Sequence, residues 1–100
     1  MSSDLPGKNV ATIEVAIPSA LSRYADRQTS LAVGGRTIDE VFENLWEKYP
    51  RLRSRIVSES GQLYPHLILL RNQQRLTGEA VTSSLSTGDK LEIVSLAGGG

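Results

Sequence analysis

One hundred residues make a single domain, long enough to bury roughly 60–65% of its unfolded surface without disulfide or metal staples. Eleven basic and eleven acidic residues cancel, which argues against nucleic-acid binding, and the absence of cysteine removes disulfides, thiolate metal sites, cysteine nucleophiles and iron–sulfur clusters. No apolar stretch approaches a membrane span, and Met1 to Pro6 lacks the basic flank and apolar run of a signal peptide, so a cytoplasmic protein is expected.

Residues 1–9 hold serines, Pro6 and Gly7 and read as a flexible N-terminal arm. Residues 10–17 alternate, with Ala11, Ile13, Val15 and Ile17 on one face and Thr12 and Glu14 on the other, the pattern of a half-buried strand. Pro18 ends it, because proline cannot donate to a ladder. Residues 19–28 form a polar loop anchored by Leu21 and Tyr24, and residues 29–33 a second short strand closed by Gly34-Gly35.

The segment from Thr37 to Tyr49 predicts a helix. Thr37 and Glu40 form a T-x-x-E capping box, in which hydroxyl and carboxylate satisfy otherwise orphaned backbone donors. Ile38, Val41, Phe42, Leu45, Trp46 and Tyr49 recur at the spacing of one helical face. Asp39 and Glu40 sit at the positive end of the helix dipole and Lys48 at the negative end. Pro50 stops this helix, and residues 51–57 suggest a second short turn with Leu52 and Ile56 inward, broken by Gly61.

Leu67, Ile68, Leu69 and Leu70 in succession read as a strand apolar on both faces. A turn at residues 72–74 and an irregular segment with Leu76 and Val81 as core positions follow. Gly88-Asp89 signals a turn into the last strand, residues 90–96, with Leu91 and Ile93 on one face and Glu92 and Val94 on the other. If the helix covers Leu67, Leu69 and Ile93, then Ile68, Leu70 and Val94 form an apolar patch on the open face. That patch is a candidate for partner docking, the alternative being cover by a loop or a second copy. Residues 97–100, Ala-Gly-Gly-Gly, read as a flexible tail in which Gly98, Gly99 and Gly100 present a carboxylate with no side chains near it.

The competing chemistries find little support. Gly34-Gly35-Arg36-Thr37 lacks the spacing of a phosphate-binding loop, and no G-x-S-x-G nucleophile motif is present. His66 is the one histidine, so no metal site is expected. Arg51, Arg53 and Arg55 read most simply as a solvated segment, with contact to an acidic partner as the functional alternative.

Strand, strand, helix, strand, strand is an α+β order, and one main helix packed on one face of a mixed sheet is the β-grasp, or ubiquitin-like, roll. Residues 10–18, Thr37-Ile-Asp-Glu-Val with Leu45 and Tyr49-Pro50, residues 66–74, and Thr87-Gly-Asp-Lys-Leu-Glu-Ile ending in Ala97-Gly-Gly-Gly together resemble one family. It is that of the small sulfur-carrier proteins: ThiS, the small subunit of molybdopterin synthase (MoaD), and the CysO-type carriers.

The resemblance implies a carrier protein with no bound cofactor and no catalysis of its own. A separate ATP-dependent, ubiquitin-activating-type enzyme would adenylate the Gly100 carboxylate. A sulfurtransferase or sulfide source would then replace AMP with sulfur, leaving a 1-thioglycine thiocarboxylate for a sulfur-accepting synthase. Ala97, Gly98 and Gly99 would thread the partners' channels, four extended steps from Leu96 reaching ~13–14 Å. The alternative within the same chemistry is a ubiquitin-like modifier joined through Gly100 to target lysines.

Overall fold

The computed structural model describes residues 11–76 and 84–96. The expected N-terminal arm, the core position Val81 and the tail Ala97, Gly98, Gly99 and Gly100 lie outside the described residues.

Strand β1, Ala11–Ala16, alternates as expected, with Ala11, Ile13 and Val15 buried. Strand β2, Ser30–Gly35, returns antiparallel, setting Ile13 opposite Val33 and Val15 opposite Leu31. The connection is more ordered than a polar loop: Ser19–Tyr24 is a 3-10 helix. Pro18 leads into it with φ −59° and ψ 143°, Leu21 N–H donates to the Pro18 carbonyl at 2.9 Å, and Ala25 is fully buried behind it. Asp26 and Arg27, at φ 53° and 64°, then turn the chain back. Six residues are too few for a periodicity to announce such an element.

Helix α1, Ile38–Lys48, begins at its expected cap. Thr37 Oγ1 accepts from Glu40 N–H at 3.2 Å. The Glu40 carboxylate reaches one residue further back than in a standard capping box and accepts from Arg36 N–H at 2.9 Å. The buried stripe is narrower than the sequence suggests. Ile38, Val41 and Leu45 are completely buried, whereas Phe42, Trp46 and Tyr49 are half-buried at the margin. Phe42 and Trp46 lie roughly 40–80° round the helix from Ile38, on its flank, where their rings stack at 5.4 Å.

Pro50 ends α1 and also opens helix α2, Pro50–Ile56, from its first-turn position, where the missing N–H costs nothing. Leu52 and Ile56 are fully buried, as the spacing predicts. Gly61, at φ +88°, turns the chain, and Val57 bridges Leu63 across that turn.

Strand β3, Leu67–Arg71, is followed by a two-residue turn, Asn72 and Gln73 at φ 49° and 73°, and by the short β4, Gln74–Arg75. Leu85 is buried and donates its N–H to the Arg36 carbonyl, next to the Thr37–Ser84 bridge. Strand β5, Lys90–Ser95, enters the centre of the sheet, parallel to β1 and antiparallel to β3. The strand order is β2-β1-β5-β3-β4. Leu91 and Ile93 of β5 and Leu67 and Leu69 of β3 join the core beneath the helices. A five-stranded mixed sheet with parallel central strands and its helices on one face is the β-grasp arrangement.

Candidate functional site

The tail root is placed by sheet topology. Because β1 and β5 run parallel, the end of β5 lies at the end of the sheet where β1 hands over to the 3-10 helix. Leu96 N–H donates to the His66 carbonyl at 2.7 Å, which ties the chain down just before residue 97. The His66 ring stacks on Tyr64, with centroids 6.0 Å apart. Tyr64 in turn donates its hydroxyl to the Ser54 carbonyl at 3.0 Å and its N–H to the Ile56 carbonyl at 3.1 Å. The root is thus braced through two rings to α2. Leu96 itself is 56% exposed, the one large hydrophobic side chain in that state among the described residues.

From this root the three residues proposed from the alternation run along β3 and β5, Ile68 and Val94 nearest to it and Leu70 toward the far end. Ile68 stands directly opposite Val94 on neighbouring strands, and Leu70 opposite Glu92. All three are half-buried, whereas their sequence neighbours Leu67, Leu69, Leu91 and Ile93 are in the core. The structure therefore brings Ile68, Leu70 and Val94 together on the sheet face away from the helices. Leu96 was not anticipated as part of an exposed surface, although continuing the β5 alternation by one step would have suggested it.

The opposite end of β5 is fastened by a polar cluster that sequence reasoning missed. Asp89 accepts from Arg71 at 3.0 Å, from the Asn72 amide at 3.1 Å and from Ser86 N–H at 2.9 Å. Asn72 completes the clasp, accepting from Lys90 N–H at 3.0 Å. The Ser86 amide, the Asn72 side chain and the Arg71 guanidinium hold the Asp89 carboxyl below its ordinary value, against a smaller opposing effect of burial. Only the Gly-Asp turn and the Asn72 turn hinted at it, and neither shows a partner without the register of β3 on β5.

Among the described residues no three of His, Asp and Glu come close enough to hold a metal ion, and no helix is long and apolar enough to cross a membrane. Gly35 serves packing: a Cβ on it would lie 2.6 Å from Val41 Cγ2 and 2.7 Å from the Val41 backbone nitrogen.

Neither a protein-family model nor a curated protein sequence matches this chain. Solved structures do. The small archaeal modifier SAMP1 of Haloferax volcanii superposes with a TM-score of 0.74 at 24% identity, over 90% of this chain and 100% of that one. A chain of the BexX/CysO complex of Amycolatopsis orientalis gives 0.76 at 21% identity, over 88% and 99%. Urm1 of Trypanosoma brucei gives 0.65 at 24% identity, over 93% and 99%. These likenesses extend over nearly the whole of each chain and show that the β-grasp, ubiquitin-like fold is common to all of them.

Proposed function

We propose that this protein is a cytoplasmic sulfur carrier, charged at the carboxylate of Gly100 and not itself an enzyme. The observation that carries the reading is the tail root. A central strand, hydrogen-bonded on both sides and anchored at Leu96, leads directly into Ala97, Gly98, Gly99 and Gly100. A firmly anchored strand that runs on into consecutive glycines suits a group carrier, whose job is to insert one reactive atom into successive partners.

The chemistry follows from the poor reactivity of a carboxylate, from which oxide does not leave. Attack of the Gly100 carboxylate on the α-phosphate of ATP, in a separate ubiquitin-activating-type enzyme, releases pyrophosphate and forms an acyl adenylate. Hydrosulfide then adds to the carbonyl and AMP leaves; where a sulfurtransferase delivers the sulfur as a persulfide, an acyl disulfide forms first and a second thiol of that enzyme cleaves it, leaving the thiocarboxylate and a disulfide. The resulting thiocarboxylate delivers sulfur to an accepting synthase. Ala97, Gly98 and Gly99 supply reach and clearance. Ile68, Leu70 and Val94, with Leu96 beside them, supply the apolar surface on which the partner seats.

The modifier reading rests on the fold shared with the archaeal modifier SAMP1. Activation is the same; the acceptor is a lysine amine. Intact-mass spectrometry after incubation with ATP, an adenylating enzyme and a sulfur donor separates the two readings. A mass increase equal to exchanging one terminal oxygen for sulfur is expected. High-mass conjugates that depend on Gly100, without that exchange, would favour the modifier, and neither product with any adenylating enzyme tried would end both.

A further inference from the structure

The net charge of zero conceals a strong separation of charge. Residues 19–28 and 48–58 hold six of the eleven basic residues (Arg23, Arg27, Lys48, Arg51, Arg53 and Arg55) and only one of the eleven acidic residues, Asp26. The rest of the chain holds five basic residues and ten acidic ones. The two basic segments meet in space. The Arg55 guanidinium carbon lies 4.7 Å from the Tyr24 ring centroid and that of Arg51 lies 6.0 Å from it, so two like charges from α2 converge on one ring of the 3-10 helix. Arg23, Arg27, Arg51 and Arg55 are exposed. Among the described residues the ion pairs are Arg36–Glu40 and Arg71–Asp89, and none of these four arginines takes part in one.

This surface lies at the tail end of the molecule. The 3-10 helix follows the end of β1, which is the same end at which β5 finishes, and α2 is joined to the tail root through Ser54, Tyr64 and His66. A protein that receives the tail is therefore brought to the end of the molecule that carries this surface, with its apolar seat on the other sheet face. We infer that the Tyr24-centred arginine surface is a second docking site, which recognises an acidic surface on the protein that receives the tail. The inference rests on the carrier reading only for what brings that partner to this end. Tyr24 draws the Arg55 guanidinium, and at the outer limit of contact that of Arg51, toward one ring, so part of their ordering precedes binding. Charge complementarity of this kind steers encounter and selects partners more than it adds affinity. A protein surface fits better than a nucleic acid, because the acidic excess over the remainder of the chain would repel an extended phosphate backbone.

The test uses the full uncharged chain and a synthetic twelve-residue glutamate-rich peptide, followed by amide and arginine side-chain NMR. A twelve-nucleotide single-stranded RNA and phosphatidylserine-containing vesicles are run beside it. Saturable shifts at Arg23, Tyr24, Arg51 and Arg55 are expected with the peptide, weakening steeply with added salt. R51Q/R55Q should lower the peptide's affinity about three- to tenfold, while R51K/R55K, which keeps both charges, should lose less. Circular dichroism checks that both variants remain folded. Shifts centred elsewhere, no saturable binding, an affinity unchanged in R51Q/R55Q, or tighter binding of the RNA or vesicles at this surface would each overturn the inference. The measurement needs neither ATP nor a charged Gly100, so its failure and a failure of the carrier chemistry are told apart.

Discussion

Arg71, the last residue of β3, and Asp89, just ahead of β5, meet at 3.0 Å although they stand eighteen positions apart in the chain. The pair is largely shielded, with 28% and 16% of the two side chains exposed. The same carboxylate takes the Asn72 amide and Ser86 N–H, so one residue secures a hairpin turn, the preceding loop and the entry to the central strand.

Asp89→Ala removes an acceptor serving three donors and should cost about 1–3 kcal/mol in chemical denaturation. The pH dependence has a definite sign. The folded-state value is depressed, so the Asp89 contribution is complete above the unfolded carboxyl's value of about 3.9 and is lost as pH falls through the lower folded value. Asp89→Asn should therefore flatten the acid limb of the stability profile while leaving its shape near neutrality unchanged. Equal acid sensitivity in the two proteins would show that the clasp contributes nothing.

Gly35 faces Val41 at the first turn of α1. Because a Cβ would meet the Val41 backbone as well as its side chain, rotation of the valine cannot relieve the contact. Gly35→Ala should destabilise by about 1–3 kcal/mol, the range for overpacking. Gly34→Ala, at the half-exposed neighbouring position, serves as the comparison and should cost less. Thermal melts of the two variants decide it.

Leu45 is completely buried and Phe42 is not. Leu45→Ala should cost about 2–5 kcal/mol. Phe42→Ala should fall below the about 3–5 kcal/mol of a fully buried phenylalanine, since the ring at the flank already touches solvent. Urea denaturation of both should rank Leu45 first.

Leu70→Asp places a carboxylate on the half-exposed outer face, between Arg75 and Glu92 in register. The fold should survive with a loss of about 1 kcal/mol or less, and activation by the adenylating enzyme should weaken at least tenfold through KM. Pyrophosphate-exchange kinetics against the wild-type chain provide the check, and unchanged kinetics would remove the outer face from the docking surface.

Local regularities carried much of the fold. The T-x-x-E cap, the helical spacing from Ile38 to Leu45, the alternation of β1 and β5, and the proline and glycine stops all lie within a few residues of one another, and each has one physical reading. From their order came the β-grasp arrangement and the assignment of Ile68, Leu70 and Val94 to a common face. Other features depend on residues distant in sequence. The Asp89 clasp needs the register of β3 on β5 and the meeting of turns at 72 and 86–89; the Gly35–Val41 approach needs α1 laid on β2; the arginine surface needs α2 seated against the 3-10 helix. Which part of an amphipathic stripe is sealed was also beyond the pattern, because periodicity gives direction round a helix and not the width of what covers it. The sequence alone determined what each segment could become and which side it turned inward. Tertiary structure decided which distant charges, rings and backbones met, since those encounters arise only when the sheet register and the helix seats are set.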